Sequence, residues 1–239
     1  MYVNKKNVGV SANSVSLRMV KKEQFRASGK LCVYCGEHSG HTRDHVPPKG
    51  IFFTPLESSL ITVPACEQCN SGFSALDTKF KEWLAFSLGT QTDNRLRYWN
   101  EKLLPMLQKN NRRQAELIAA MKPAHLLFPE HNVPKDMHAL PFEASTQRQM
   151  IRRLVKGLWF KEFQEILPPH VAIQPLLLES FDGLEEAFMK CTWKQIGEQF
   201  SYGYGVAEDQ PASCWFFTFH GGNLSAAFTG AVASNDEDE

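Results

Sequence analysis

The sequence predicts an α+β protein in which a small cysteine-stapled module precedes a helical and antiparallel-β domain. Three observations point there. Two identical Cys-x-x-Cys pairs, Cys32/Cys35 and Cys66/Cys69, bracket a stretch rich in turn residues. A long amphipathic pattern runs from about Ser145 to Leu167. Aromatic, β-branched runs separated by turn signals fill the last sixty residues. The expected organisation is a basic arm over 1–30, the module over 31–90, and a C-terminal α+β domain over 91–239 that ends in an acidic tail.

The 239-residue chain is 43% hydrophobic and 22% charged, ordinary values for a chain able to bury a core. No run approaches the roughly 20 apolar residues of a membrane helix. The N-terminus lacks an apolar block of secretory type, so the expected location is cytoplasmic. Net charge is zero but unevenly spread. Residues 1–50 carry nine Lys/Arg against three Asp/Glu, whereas residues 177–239 carry two against eleven. A polyanion partner at the basic end fits this asymmetry, and so do plain solvated faces.

In chain order, Gly36, Gly40, Pro47, Pro48, Gly50 and Pro55 punctuate the segment after the first cysteine pair, and Leu60–Val63 reads as a short strand. From Cys66 the pattern becomes helical, with Phe80, Trp83, Leu84 and Leu88 on one stripe. Leu96, Trp99, Leu103 and Leu104, then Leu117, Ile118 and Met121, give two further helical stripes. A proline-rich loop follows. The 145–167 helix is expected to bury Met150, Ile151, Leu154, Leu158, Trp159 and Phe163 and to expose Arg148, Arg152, Arg153, Lys156 and Lys161 to solvent or to a nucleic-acid backbone. Pro168-Pro169 stops it. Strands are expected at Phe200–Val206, Cys214–Phe219 and Leu224–Phe228. Cys191 and Cys214, each alone, read as small buried apolar residues.

The chemistry concentrates between the cysteine pairs. Two Cys-x-x-Cys knuckles separated by 30 residues suit tetrahedral Zn²⁺ as a structural metal, and paired spacing in such a chain favours metal over disulfides. Between them lies Asp44-His45 before Val46-Pro47, and Asn70 directly follows the fourth cysteine. Clamping the knuckles together brings Asn70 near the segment of Asp44 and His45. A carboxylate and an amide beside an imidazole suit phosphodiester hydrolysis, which uses a divalent cation at the phosphate and a base for water. A surface pair or a cap is what an Asp-His dyad means outside this frame.

Cys32-Val-Tyr-Cys35, Asp44-His45-Val-Pro-Pro-Lys49-Gly50 and Val63-Pro-Ala-Cys66-Glu-Gln-Cys69-Asn70-Ser-Gly-Phe73 together resemble the zinc-stabilised branch of the HNH, or ββα-metal, endonucleases. The resemblance covers about residues 31–88, a quarter of the chain. It implies a ββα-metal fold in which Asp44 and Asn70 hold one Mg²⁺ or Mn²⁺ and His45 takes the proton from the attacking water. It also implies nucleic acid, most simply DNA, as substrate, with bacterial restriction or phage defence as the analogous setting. Many members carry a metal-binding histidine a few residues into the helix. This chain has none there, the nearest being His125, and Asp77 is a candidate further ligand. Arg43 and Lys49 flank the dyad and are candidate phosphate contacts; His38 and His41 read as loop histidines or alternative zinc or phosphate ligands.

Two other readings stay open on sequence alone. One is a zinc-stapled nucleic-acid-binding or scaffold module without catalysis. The other is a nuclease subunit gated by a partner, with the C-terminal domain available for a homodimer or another protein.

Overall fold

The computed structural model describes residues 30–56, 59–86, 92–127, 135–178, 182–207 and 212–231. The expected basic arm before residue 30 and the acidic tail lie outside them. The fold is α+β with antiparallel sheets. The first unit is a hairpin of β1 (Thr42–His45) and β2 (Thr62–Ala65), paired Thr42 to Ala65 through His45 to Thr62, followed by helices α1 (Glu67–Gly72) and α2 (Ser74–Phe86). The strand expected at 60–63 forms two residues later, where Val63 and Ala65 are both buried.

Next comes a helical region of α3 (Asp93–Tyr98), α4 (Leu104–Lys109) and α5 (Asn111–Ala120). The single stripe expected through Leu96–Leu104 is broken by a π-helical turn at Trp99–Leu103. Pro105 occupies the first turn of α4. Its ring excludes an ordinary α-turn behind it, and the wider turn relieves that clash. Leu103, Leu107 and Leu117 close a small satellite core. Arg113 of α5 forks onto the buried carboxylate of Glu82 on α2, at 2.7 and 2.5 Å, which ties this region to the first unit. Short elements follow: strand β3 (Lys122–Pro123), helix α6 (Ala124–Leu127) and strand β4 (His138–Ala139), which pairs with β3.

The long helix α7 (Ala144–Phe163) organises the rest. It ends earlier than the prolines alone imply, at Gln164, which adopts the left-handed conformation with φ of 58°. The five-stranded sheet is β5 (Val171–Leu178), β6 (Thr192–Ile196), β7 (Phe200–Val206), β8 (Ser213–Phe219) and β9 (Asn223–Ala231), in spatial order β5-β9-β8-β7-β6, with every pair antiparallel. Helix α8 (Glu185–Met189) precedes β6. On the central strand β8 the period of two is explicit: Trp215, Phe217 and Phe219 enter the main core, while Phe216 is buried on the opposite face against Phe188.

Helix α7 packs on α2, β2, β5 and β9. Its buried residues Met150, Ile151, Leu154, Val155 and Leu158 join Cys32, Val46, Phe80 and the sheet aromatics in one continuous core. Gly157 permits the closest approach, since a Cβ there would lie 2.6 Å from a methyl of Val46. Among the described residues no helix is long and apolar enough to cross a membrane.

Candidate metal centre and neighbouring acid-histidine site

The first knuckle is a tight turn. The Gly36 amide donates to the Cys32 carbonyl at 2.8 Å, with Gly36 at a φ of +71° that favours glycine. The Cys32 amide donates to the His38 carbonyl at 2.7 Å. The second knuckle is the start of a helix: Cys66 caps α1, its sulfur accepting from the Cys69 amide at 3.4 Å. The Val33 amide, which donates to the Pro64 carbonyl at 3.0 Å, joins the two. All four sulfurs lie within 4.8 Å of one another. Tetrahedral zinc-thiolate bonds of about 2.3 Å set sulfur-sulfur separations near ~3.8 Å, so the set fits a zinc-sized ion after a small contraction.

The chemistry of the donors agrees. Burial opposes ionisation of Cys35, but hydrogen bonds from the amides of His38 and Glu37 and from the side chains of His38 and Cys32 together outweigh it and draw its thiol down to about 6. Burial and the neighbouring thiols push Cys69 up. Four thiolates so close repel one another, and a divalent cation at their centre is what lets all of them ionise. His38 is exposed, with Nδ1 3.5 Å from the Cys35 sulfur, and His41 lies 4.0 Å from the exposed Glu67. Neither belongs to the four-sulfur set.

The knuckles also fix what lies between them. Asn70, one residue past the second knuckle, turns its amide nitrogen to β1, donating to Thr42 Oγ1 at 3.1 Å and to the Arg43 carbonyl at 3.5 Å. Thr42 in turn donates to the Ala65 carbonyl at 2.7 Å. The asparagine therefore lies against the strand that carries Asp44 and His45, and its nitrogen is committed to holding that strand. Among the described residues it makes no hydrogen bond to either side chain.

Asp44 points inward and is only 5% exposed. A buried carboxylate needs hydrogen-bonded, charged partners, and three groups supply them. Tyr34, inside the first knuckle, donates its hydroxyl to Oδ2. Arg153 of α7 donates from Nε to Oδ2 at 3.0 Å and from Nη2 to Oδ1 at 2.6 Å. The same guanidinium donates from Nη1 to Asp77 of α2, and its Cζ stacks 4.3 Å from the Phe73 ring centre. Burial pushes the Tyr34 hydroxyl well above its usual range, with the negative charge of Asp44 adding to the effect. Burial raises Asp77 against the opposing pull of Arg153. Burial would lower Arg153, but its bonds to Asp44 more than offset this, and it stays charged.

No protein-family model, curated protein or solved structure matches this chain.

His45 ends β1 half-buried. Burial lowers its pKa, helped by the positive charges of Lys49 and Arg153 and opposed by Asp44 and Asp77. The imidazole is thus within electrostatic reach of both carboxylates and of Arg153. Lys49 is exposed in the 3-10 turn Lys49–Ile51, and Arg43 is exposed on β1. Asp44, His45, Asn70 and Asp77, scattered over 34 positions, surround one hairpin-helix unit.

Arg153 reverses its expected placement. The helix pattern assigns it to the solvated face, but it is 3% exposed. The buried surface of α7 is wider than its apolar stripe, because α7 packs against the first unit on one side and the sheet on the other. Tyr34 was visible only as a knuckle residue. Neither partnership leaves a sequence signal, since Arg153 lies 109 residues from Asp44 and 76 from Asp77.

Proposed function

We propose that this chain is an HNH-type endonuclease that hydrolyses phosphodiester bonds of nucleic acid, most simply DNA. The observation that carries the reading is the joint placement of a four-cysteine metal site, Asp44-His45 at the end of β1, Asn70 against that strand and Asp77 across from it. The order β-hairpin then helix is the arrangement that the sequence resemblance implies.

In this reading zinc at Cys32, Cys35, Cys66 and Cys69 is structural: it fastens the turn that carries Tyr34 to the helix that carries Asn70. Asp44 and Asn70, with Asp77 as a further donor, would hold one Mg²⁺ or Mn²⁺, which supplies charge neutralisation at the phosphate. His45 accepts the proton of the attacking water. Burial keeps its ring in the neutral form near pH 7, the form a base requires. Asn70 holds β1 so that Asp44 and His45 keep their positions. Arg43 and Lys49, exposed on either side of the dyad, contact the backbone phosphates of the substrate.

One observation favours a second reading. Both oxygens of Asp44 accept hydrogen bonds from within the chain, as in a zinc-stapled nucleic-acid-binding module without catalysis. Nicking of supercoiled plasmid in Mg²⁺ or Mn²⁺ separates the two. Wild type is expected to cut, and His45→Ala to cut about 10²–10⁴-fold more slowly with fold and zinc content unchanged. Equal cutting by His45→Ala removes the histidine from the mechanism. Binding of DNA with no cutting by wild type shifts the reading to a binding module or to a nuclease subunit gated by a partner.

A further inference from the structure

We infer that Arg153 is a resident counter-cation that competes with a divalent metal for Asp44 and Asp77. This rests on the reading above, in which those carboxylates face a catalytic cation. The guanidinium fills the wedge between them: a fork of 3.0 and 2.6 Å grips Asp44, and the remaining nitrogen, Nη1, reaches Asp77. Its side chain is 2% exposed and cannot meet substrate from this position, so it acts only through the two acids.

Space and charge make the occupancy exclusive. A divalent ion bonds carboxylate oxygens at roughly 2.1 Å. An ion joined to both acids would therefore take the space that Nη1 and Nη2 fill. A second cation beside the first is also repelled strongly where water is scarce. The formal count favours exchange, because two carboxylates against one guanidinium leave a surplus negative charge that a divalent ion cancels. Arg153 is thus a positioning residue. It keeps the acids charged and aligned while no metal is present, and gives up the fork when metal enters. The Phe73 ring, 4.3 Å from Cζ, is a face on which the released guanidinium stays close by.

The test is Mn²⁺ binding to the zinc-loaded full chain without nucleic acid, read by electron paramagnetic resonance of free Mn²⁺. An affinity masked by a resident arginine rises when the arginine goes. Arg153→Met is expected to bind Mn²⁺ about 10–100-fold more tightly than wild type. Adding Asp77→Asn to that variant should abolish the gain. Equal or weaker binding by Arg153→Met overturns the competition.

If Arg153→Met does not fold, the wild-type chain carries the test through the Arg153 Nε proton, assigned with Arg153→Lys. Loss of its protection from solvent exchange as Mg²⁺ is added supports the inference, and protection unchanged throughout the titration overturns it. The nuclease reading fails separately. Competition in a chain that cuts nothing removes that reading and leaves the role of Arg153. Cutting by a chain whose Mn²⁺ affinity ignores position 153 does the reverse.

Discussion

Asp44 and Glu162 are both carboxylates with almost no side-chain exposure, Asp44 held by one tyrosine hydroxyl and Glu162 by two, each with one cation, yet their surroundings differ. Glu162, on α7, accepts from Tyr202 at 2.7 Å, from Tyr204 at 2.9 Å and from Lys194, all on the neighbouring strands β6 and β7. Its charge is matched one to one, and its lysine is 43% exposed to water. Burial opposes its ionisation, but the bonds from Lys194, Tyr202 and Tyr204 lower its pKa overall. Asp44 shares its arginine with a second carboxylate, the arginine is sealed from water, and a half-buried histidine stands next in the chain. The first group is a closed unit that fastens a helix to a sheet. The second carries surplus negative charge beside a titratable base, the imbalance expected where a cation is handled.

The largest way to break this contrast is to remove the frame of the Asp44 group alone. Cys66→Ser takes one of the four sulfurs and leaves a hydroxyl that can still cap α1, so the change tests the metal ligand. It should lose the bound zinc and the fold of residues 31–88, checked by metal content and melting. An unchanged melting profile with full zinc content would contradict the four-cysteine site.

Asp44→Ala comes next. It leaves Arg153 buried with only Asp77 as counter-charge, at a cost of about 3–5 kcal/mol measured by denaturant unfolding. A cost below about 1 kcal/mol would mean that the fork contributes little in solution.

Glu162→Gln sharpens the comparison from the other side. The amide oxygen still accepts from one tyrosine, the amide NH2 donates to the hydroxyl oxygen of the other, and Lys194 turns to water. The expected cost is about 1–3 kcal/mol, with plasmid nicking per folded molecule unchanged. Lost cleavage in a folded Glu162→Gln protein would erase the distinction between the two groups.

The smallest effect is in pH. The folded pKa of Glu162 lies below its unfolded value, so its contribution is complete above about pH 4.3. It is lost as pH falls through the folded value, because the unfolded chain takes up the proton first. The melting temperatures of wild type and Glu162→Gln should therefore converge on acidification from pH 6 to pH 3. Lys194, Tyr202 and Tyr204 face this carboxylate and stay protonated throughout that range. A gap that stays constant would mean that Glu162 stabilises by packing and not by charge.

Much of the architecture was legible because burial repeats at fixed periods. The α7 stripe Met150, Ile151, Leu154 and Leu158 follows helical spacing, and Trp215, Phe217 and Phe219 alternate along β8. The edge strands β5 and β6 left no such trace. Edge strands have one open side, Thr192 to Gln195 are all exposed, and Pro175 within β5 is tolerated only at an edge. The break in the helix after Tyr98 was hidden as well, since a proline in a first turn reads equally as a helix start.

The sequence by itself determined the four sulfurs, because ligand spacing within a knuckle is local chemistry that any folded arrangement must respect. It likewise set Asp44, His45 and Asn70 in an order that a closed knuckle pair draws together. Tertiary structure alone decided which charges meet inside. Arg153 sits on a basic stretch and Lys194 in the acidic last quarter of the chain, and nothing nearby marks one for Asp44 and the other for Glu162. That choice comes from packing: α7 is buried on two sides, and a charge carried inside must find whatever partner the opposite wall presents.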